Sequence, residues 1–200
     1  MTKFLLIRHA TTAAVGKKLS GRVPGVHLDE PGRAQAQLLA RHLKGQPLAA
    51  IYSSPLERAV ETATPLANAL KLTCALEEDF LEIDFGAWTD RSFPELELDA
   101  DFKRFNSFRS GTRIPGGETM QEAQSRMLRG LEKLAFSHPG ETVAVVSHSD
   151  MIKSAIAFYA GIHLDMFQRI EISPASVSVI EVYDDFAKIM LLNYTGTLEI

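Results

Sequence analysis

The chain has 200 residues, 46% hydrophobic and 23% charged, with a net charge of −4, which reads as one globular domain over residues 1–200. The acidic balance argues against a mainly electrostatic nucleic-acid partner. No apolar run approaches the roughly 18 residues of a membrane span, so no membrane partner is expected. The four apolar residues before Arg8 are too few for a signal-peptide core, so no secretory leader is expected, and the lone Cys74 excludes an internal disulfide framework and suits a reducing cytoplasm.

Phe4–Ile7 is an unbroken apolar run, as expected of a strand buried on both faces, and it delivers Arg8 and His9 to its carboxyl end. In open α/β sheets ligands bind there. Residues 10–27, punctuated by Gly16, Gly21, Pro24 and Gly25, predict a long loop of the kind that carries function. Asp29 or Glu30 with Pro31 starts a helix with Ala34, Leu38, Leu39 and Leu43 on its buried face, and Gly45 ends it. AAIYS (49–53) is a short strand. Ser54, Pro55 and Glu57 predict a capping-box start to a helix reaching Leu70, weakened at Pro65. LTCAL (72–76) supplies a third strand.

Residues 77–117 break into charged and aromatic pieces, with one helix expected over Glu95–Phe105, and read as an insertion over the sheet. Thr119 and Glu122 cap a long helix ending near Phe136. ETVAVVSHSD (141–150) repeats the opening grammar and brings Ser147 and His148 to a strand end. A helix over Asp150–Tyr159 stops at Gly161, and SVSVIEVY (176–183) and KIMLL (188–192) complete the sheet. Strands alternating with helices predict a three-layer α/β/α sandwich with a mostly parallel sheet.

The side chains at these ends suit phosphoryl transfer. A neutral imidazole is a competent nucleophile, and adjacent guanidinium groups favour its neutral form. Arg8, Arg58 and His148 suit a clamp on phosphoryl oxygens, and Glu82, facing phosphate, would be held protonated to supply the leaving alcohol with its proton. Glu77, Glu78, Asp79 and Asp84 compete with Glu82 and are read as a solvated acidic loop. Arg22, Arg91, Arg109 and Arg113 are read mainly as surface, with one or two available to recognise the rest of a substrate. Trp88, Phe93, Phe102, Phe105 and Phe108 are read as core of the insertion. His27, His42, His138 and His163 are read as loop, helix-face or cap residues.

LIRHATT, IYSSPLERAVETA, LEIDFGAW, PGGET and VVSHSD resemble, in order and context, the histidine phosphatase superfamily, also called phosphoglycerate mutase-like, in its small bacterial-type phosphatase branch. The resemblance covers nearly the whole chain. It implies His9 as the phosphorylated residue, Arg8, Arg58 and His148 around the phosphoryl group, Glu82 as proton donor, Thr12 and Ser149 as further phosphate contacts, and no metal or other cofactor. Ala10, Thr11 and Val15 depart from the family pattern around the phosphate, and Ser149 replaces a common glycine, which would matter if that position needed a positive φ.

The expected activity is a metal-independent phosphomonoesterase acting on a small phosphorylated metabolite through a phosphohistidine. The alternatives are a phosphoglycerate-type mutase, disfavoured by the short insertion, and a phospholigand-binding regulator, disfavoured because a pure binder needs neither nucleophile nor acid. A metal site on His9 and His148 lacks an accompanying ligand set. The sequence names no substrate and leaves a homodimer open.

Overall fold

The computed structural model describes residues 1–196. The strands are β1 (Thr2–Arg8), β2 (Leu48–Ser53), β3 (Cys74–Leu76), β4 (Thr142–Ser147), β5 (Val177–Val182) and β6 (Ala187–Tyr194). The α-helices are α1 (Glu30–Leu43), α2 (Glu57–Leu70), α3 (Phe93–Leu96), α4 (Ala100–Ser107), α5 (Met120–Ser137) and α6 (Ser149–Tyr159). The sheet order is β3-β2-β4-β1-β5-β6. Its first four members are parallel, and β5 and β6 add antiparallel. The sheet is therefore mixed, with the tight β5–β6 connection closed by Tyr183 N–H donating to Phe186 O at 2.8 Å.

Alternation along the central strands divides the core into two layers. Phe4, Leu6, Val143 and Val145 pack with Met127 and Leu131 of α5 and Ile152 of α6. Leu5, Ile7, Ala144 and Val146 pack on the other face with Leu39 and Leu43 of α1 and Ala63 and Leu66 of α2. The apolar runs of β1 and β4 are thus explained by burial on both sides.

Asp29 caps α1 by accepting from Gly32 N–H at 2.7 Å, and the Thr119–Glu122 capping box opens α5. The buried stripe of α1 is Ala36, Leu39, Ala40 and Leu43, a regular i, i+3, i+4, i+7 set, while Ala34 and Leu38 face outward, contrary to expectation. The capping box expected at Ser54 and Glu57 does not form. The α2 N-cap is Leu56 without a side-chain bond, because Ser54 Oγ is engaged by His148 and Glu57 Oε1 accepts from Gly25 N–H. α2 continues through Pro65 to Leu70.

The helix expected over 95–105 is two. Ser92 and Glu95 cap α3, and the Asp99 carboxylate accepts from Asp101 and Phe102 N–H to begin α4 on a new axis. Trp88 packs edge-on to Phe102 at 5.3 Å and against Phe105 at 5.4 Å, both on α4, and Phe93 and Phe102 of the insertion line one cavity with Arg8 and His9 at the end of β1.

Candidate active site

Strand register assembles the site. Arg8 is paired with Ser147, and His9 N–H donates to Ser147 O at 2.9 Å, so the residues leaving β1 and β4 lie side by side. Ser54 N–H continues the ladder to Val146 O at 2.9 Å and brings the end of β2 to the same place. Arg58, in the first turn of α2, points inward, 2% exposed, with Nη2 donating to Gly21 O at 2.7 Å, rather than pairing with Glu57 or Glu61 on its own helix. Arg8 Nη1 donates to Ile172 O at 2.6 Å.

A cavity of about 400 Å³ opens at this edge, lined by Arg8, His9, Thr12, Arg58, Glu82 and Ser149 among others. His148 lies behind that surface, fully buried, its ring 5.2 Å from the ring of His9. Thus all the residues expected at the site converge. Arg8 Nε, Arg58 Nη1 and His148 Nδ1 are buried and make no hydrogen bond among the described residues, leaving donors at one edge of the sheet. Ser149 is the first residue of α6 and keeps a helical backbone, so the glycine common at that position is not needed here.

The environment holds both histidines neutral. His9 is pushed down to about 3, by burial first and then by the Arg58 charge, with Arg8 adding to it against a hydrogen bond to Ala10 O. Because a carbonyl only accepts, the 2.7 Å contact between His9 Nδ1 and Ala10 O fixes the proton on Nδ1 and leaves the Nε2 lone pair free. His148 is likewise held well below its usual range, by burial and then by Arg58. Its Nε2 meets Ser54 Oγ at 2.8 Å.

Glu82 behaves in the opposite sense. Burial, then the Asp150 carboxylate, pushes it up to about 7 against the pull of Arg58, Ile83 N–H and Arg8. Glu78 is exposed, as expected, but the other three competitors are committed elsewhere: Glu77 pairs with Lys133, Asp79 with Arg129, and Asp84 Oδ1 accepts from Gly86 N–H. They form ion pairs and turns, not a merely solvated loop. Among the described residues no three His, Cys, Asp or Glu side chains cluster as a metal's ligand set.

Residues 4–195 match the sequence profile of the histidine phosphatase superfamily, branch 1. The chain belongs to that superfamily. A bifunctional protein of Mycobacterium tuberculosis is 36% identical over 202 residues, covering 98% of this chain, which spans only 55% of that protein's length. Phosphoserine phosphatase 1 of Hydrogenobacter thermophilus is 33% identical, with 98% of this chain and 93% of that one covered. Among histidine phosphatase structures, a histidine-to-alanine mutant of Entamoeba histolytica phosphoserine phosphatase in complex with phosphoserine superposes with a TM-score of 0.89 at 28% identity, covering all of both chains.

In this histidine phosphatase the structure separates the arginines read mainly as surface, with one or two open to recognising the rest of a substrate. Arg109 is not surface. It is 3% exposed, sandwiched 4.5 Å from the Phe105 ring and 4.6 Å from the Phe167 ring, bonded to Asn106 and 3.3 Å from Asp150, and it lines the cavity with Phe93 and Phe102. Its partners come from three separate segments, so no local signal announced it. Arg91 and Arg113 do lie outward, paired with Asp99 and Glu122. His27 pairs with Glu61, His138 with Glu141, and His163 caps a turn, as expected of residues outside the site. No helix among the described residues is long and apolar enough to cross a membrane.

Proposed function

We propose that this histidine phosphatase is a metal-independent phosphomonoesterase that works through a phosphohistidine on His9. The observation that carries the reading is a neutral, buried His9 with Nε2 free, lining one cavity with a carboxyl held up to about 7 and two partly unpaired arginines. In the first step His9 Nε2 forms a bond to phosphorus as the ester P–O bond breaks. The departing oxygen keeps that electron pair and takes the proton of Glu82. Arg8 and Arg58 neutralise the phosphoryl oxygens, and His148 donates from Nδ1 while its Nε2 accepts from the Ser54 hydroxyl.

In the second step the Glu82 carboxylate takes a proton from water. The water oxygen bonds to phosphorus, the P–N bond breaks, and its electron pair returns to His9. Thr12 and Ser149 are assigned to supporting contacts with phosphate. The chain is read as one domain acting in the cytoplasm, with the lone Cys74 in support. Phosphoserine is the first substrate to try, since proteins named for its hydrolysis align over most of their length with this chain.

The test is a panel of phosphorylated metabolites assayed with and without EDTA, followed by an acid-free quench and mapping of bound phosphate. Label on His9, lost in His9→Ala, with activity unchanged by EDTA, is the expected result. Label on another residue, or zinc-reversible inhibition, overturns it.

A further inference from the structure

No side chain of the PGGET stretch is assigned a place in the reaction above, yet its backbone is joined to the loop that carries Glu82. Ala87 N–H donates to Pro115 O at 2.8 Å, Glu118 N–H to Asp84 O at 3.0 Å, and Asp84 N–H to Glu118 Oε2 at 3.0 Å. A Cβ on Gly86 would stand 2.3 Å from Pro115 O, and one on Gly117 2.2 Å from Asp84 O. Both positions therefore need glycine for the two loops to meet.

Two arginines complete the arrangement. Arg126 of α5 reaches Asp79 O at 2.8 Å, Leu81 O at 2.9 Å and Glu82 O at 3.3 Å, and grips the Glu118 carboxylate with Nε at 3.2 Å and Nη2 at 3.1 Å. Arg22, from the loop after β1, donates from Nε to Glu82 O at 2.7 Å and pairs through Nη2 with Glu118 Oε2 at 2.9 Å. Burial pushes Glu118 up, but hydrogen bonds from Arg126 and Asp84 N–H, with the charges of Arg126 and Arg22, outweigh it and hold the carboxyl below its ordinary value. One anion therefore fixes two guanidinium groups on one carbonyl, that of Glu82. The residue before Arg22 is Gly21, whose carbonyl accepts from Arg58, so a single dipeptide links the phosphate-facing arginine to the main chain of the acid.

We propose that Glu118, Arg126 and Arg22 are positioning residues for Glu82, a charged cradle that fixes its main chain so that the carboxyl meets the leaving oxygen. The inference rests on Glu82 being the general acid. None of the three needs to touch substrate. Proton transfer requires donor and acceptor within hydrogen-bond reach, and misplacement on the order of 1 Å can cost about 10²-fold, so a carbonyl pinned by two cations has a kinetic purpose beyond folding the loop.

The test compares kcat/KM for the best alkyl phosphate of the panel with that for nitrophenyl phosphate, whose phenolate leaves without help. Variants are Glu82→Gln, Arg126→Met, Arg22→Met and each arginine variant combined with Glu82→Gln. We expect each arginine variant to lose about 10-fold or more on the alkyl ester and much less on the aryl ester, and to cost nothing further once Glu82 is Gln. Arg22 is 30% exposed and outside the core, so Arg22→Met decides the matter even where Arg126→Met fails to fold. Equal losses on both esters, wild-type rates, or a further loss in the double variants overturns the cradle while Glu82→Gln stays selective. A Glu82→Gln variant that is itself unselective overturns the acid assignment instead.

Discussion

His148 Nδ1 stands 3.9 Å from Glu82 Oε2, the imidazole fully buried and the carboxyl side chain 14% exposed, with no hydrogen bond between them. Burial acts on them in opposite senses, removing the proton from the imidazole and keeping it on the carboxyl pushed up to about 7. The pocket therefore sets two imidazoles held neutral and a carboxyl raised to about 7 beside the charges of Arg8 and Arg58.

The pH profile should report Glu82. As pH rises through about 7 the carboxyl loses the proton the leaving group needs, so kcat/KM for an alkyl phosphate falls there. The loss should be missing from Glu82→Gln, whose residual rate follows only the ester's own ionisation near about 6. The variant should fall by about 10²- to 10⁴-fold on alkyl esters and noticeably less on nitrophenyl phosphate. Equal losses would move the acid role to another carboxyl.

His9 should destabilise the protein in acid. Its folded value of about 3 lies below its ordinary 6.5, so the unfolded chain binds a proton that the folded chain refuses. Stability is then intact above about 6.5 and falls as pH drops below it, by up to ~1.4 kcal/mol per pH unit for this one group. Urea unfolding from pH 7 to 5 should show a shallower decline in His9→Gln than in the native protein. Parallel curves would mean His9 is protonated in the fold.

Ser54→Ala should slow the enzyme without disturbing α2. Ser54 Oγ holds His148 Nε2 at 2.8 Å and is not the cap of that helix. Losing one neutral buried hydrogen bond costs about 1 kcal/mol, or on the order of fivefold to tenfold in kcat/KM, as the His148 tautomer is no longer fixed. Circular dichroism should be unchanged. An unaltered rate would show that Ser54 does not orient His148.

Arg58→Lys keeps the charge and loses the fork. Arg58 uses Nη2 on Gly21 O and has Nη1 unpaired, and a lysine ammonium cannot span both. Charge-assisted bonds are worth about 1.5 to 3 kcal/mol, so kcat/KM should drop by about 10- to 100-fold, with inorganic phosphate inhibiting more weakly by a similar factor. Native phosphate affinity in the variant would place Arg58 outside the anion site.

The sequence by itself determined most of the elements and the polar side chains that stand at the ends of β1 and β4. Phe4–Ile7 and Val143–Val146 are apolar because both faces of the sheet are covered, and such runs are visible without coordinates. Arg8 and His9 at the end of the first run, and His148 just past the second, inherit their places from the strands. Caps at Asp29 and Thr119 were legible for a related reason, since donor and acceptor lie three residues apart.

Tertiary structure decided everything whose partner is distant. Ser54 carries a cap signal and goes to a histidine just past β4; Asp99 breaks the helix expected across it; Ala36 rather than Ala34 finds the core. Nothing local in the sequence marks out Arg22, Arg109 or Arg126, and only convergence of the β1 loop, the insertion and α5 gives their guanidinium groups acceptors and rings. A side chain's own neighbours in sequence set its backbone, but its charge is stabilised by whatever the fold brings within about 3 Å, and that is decided by packing.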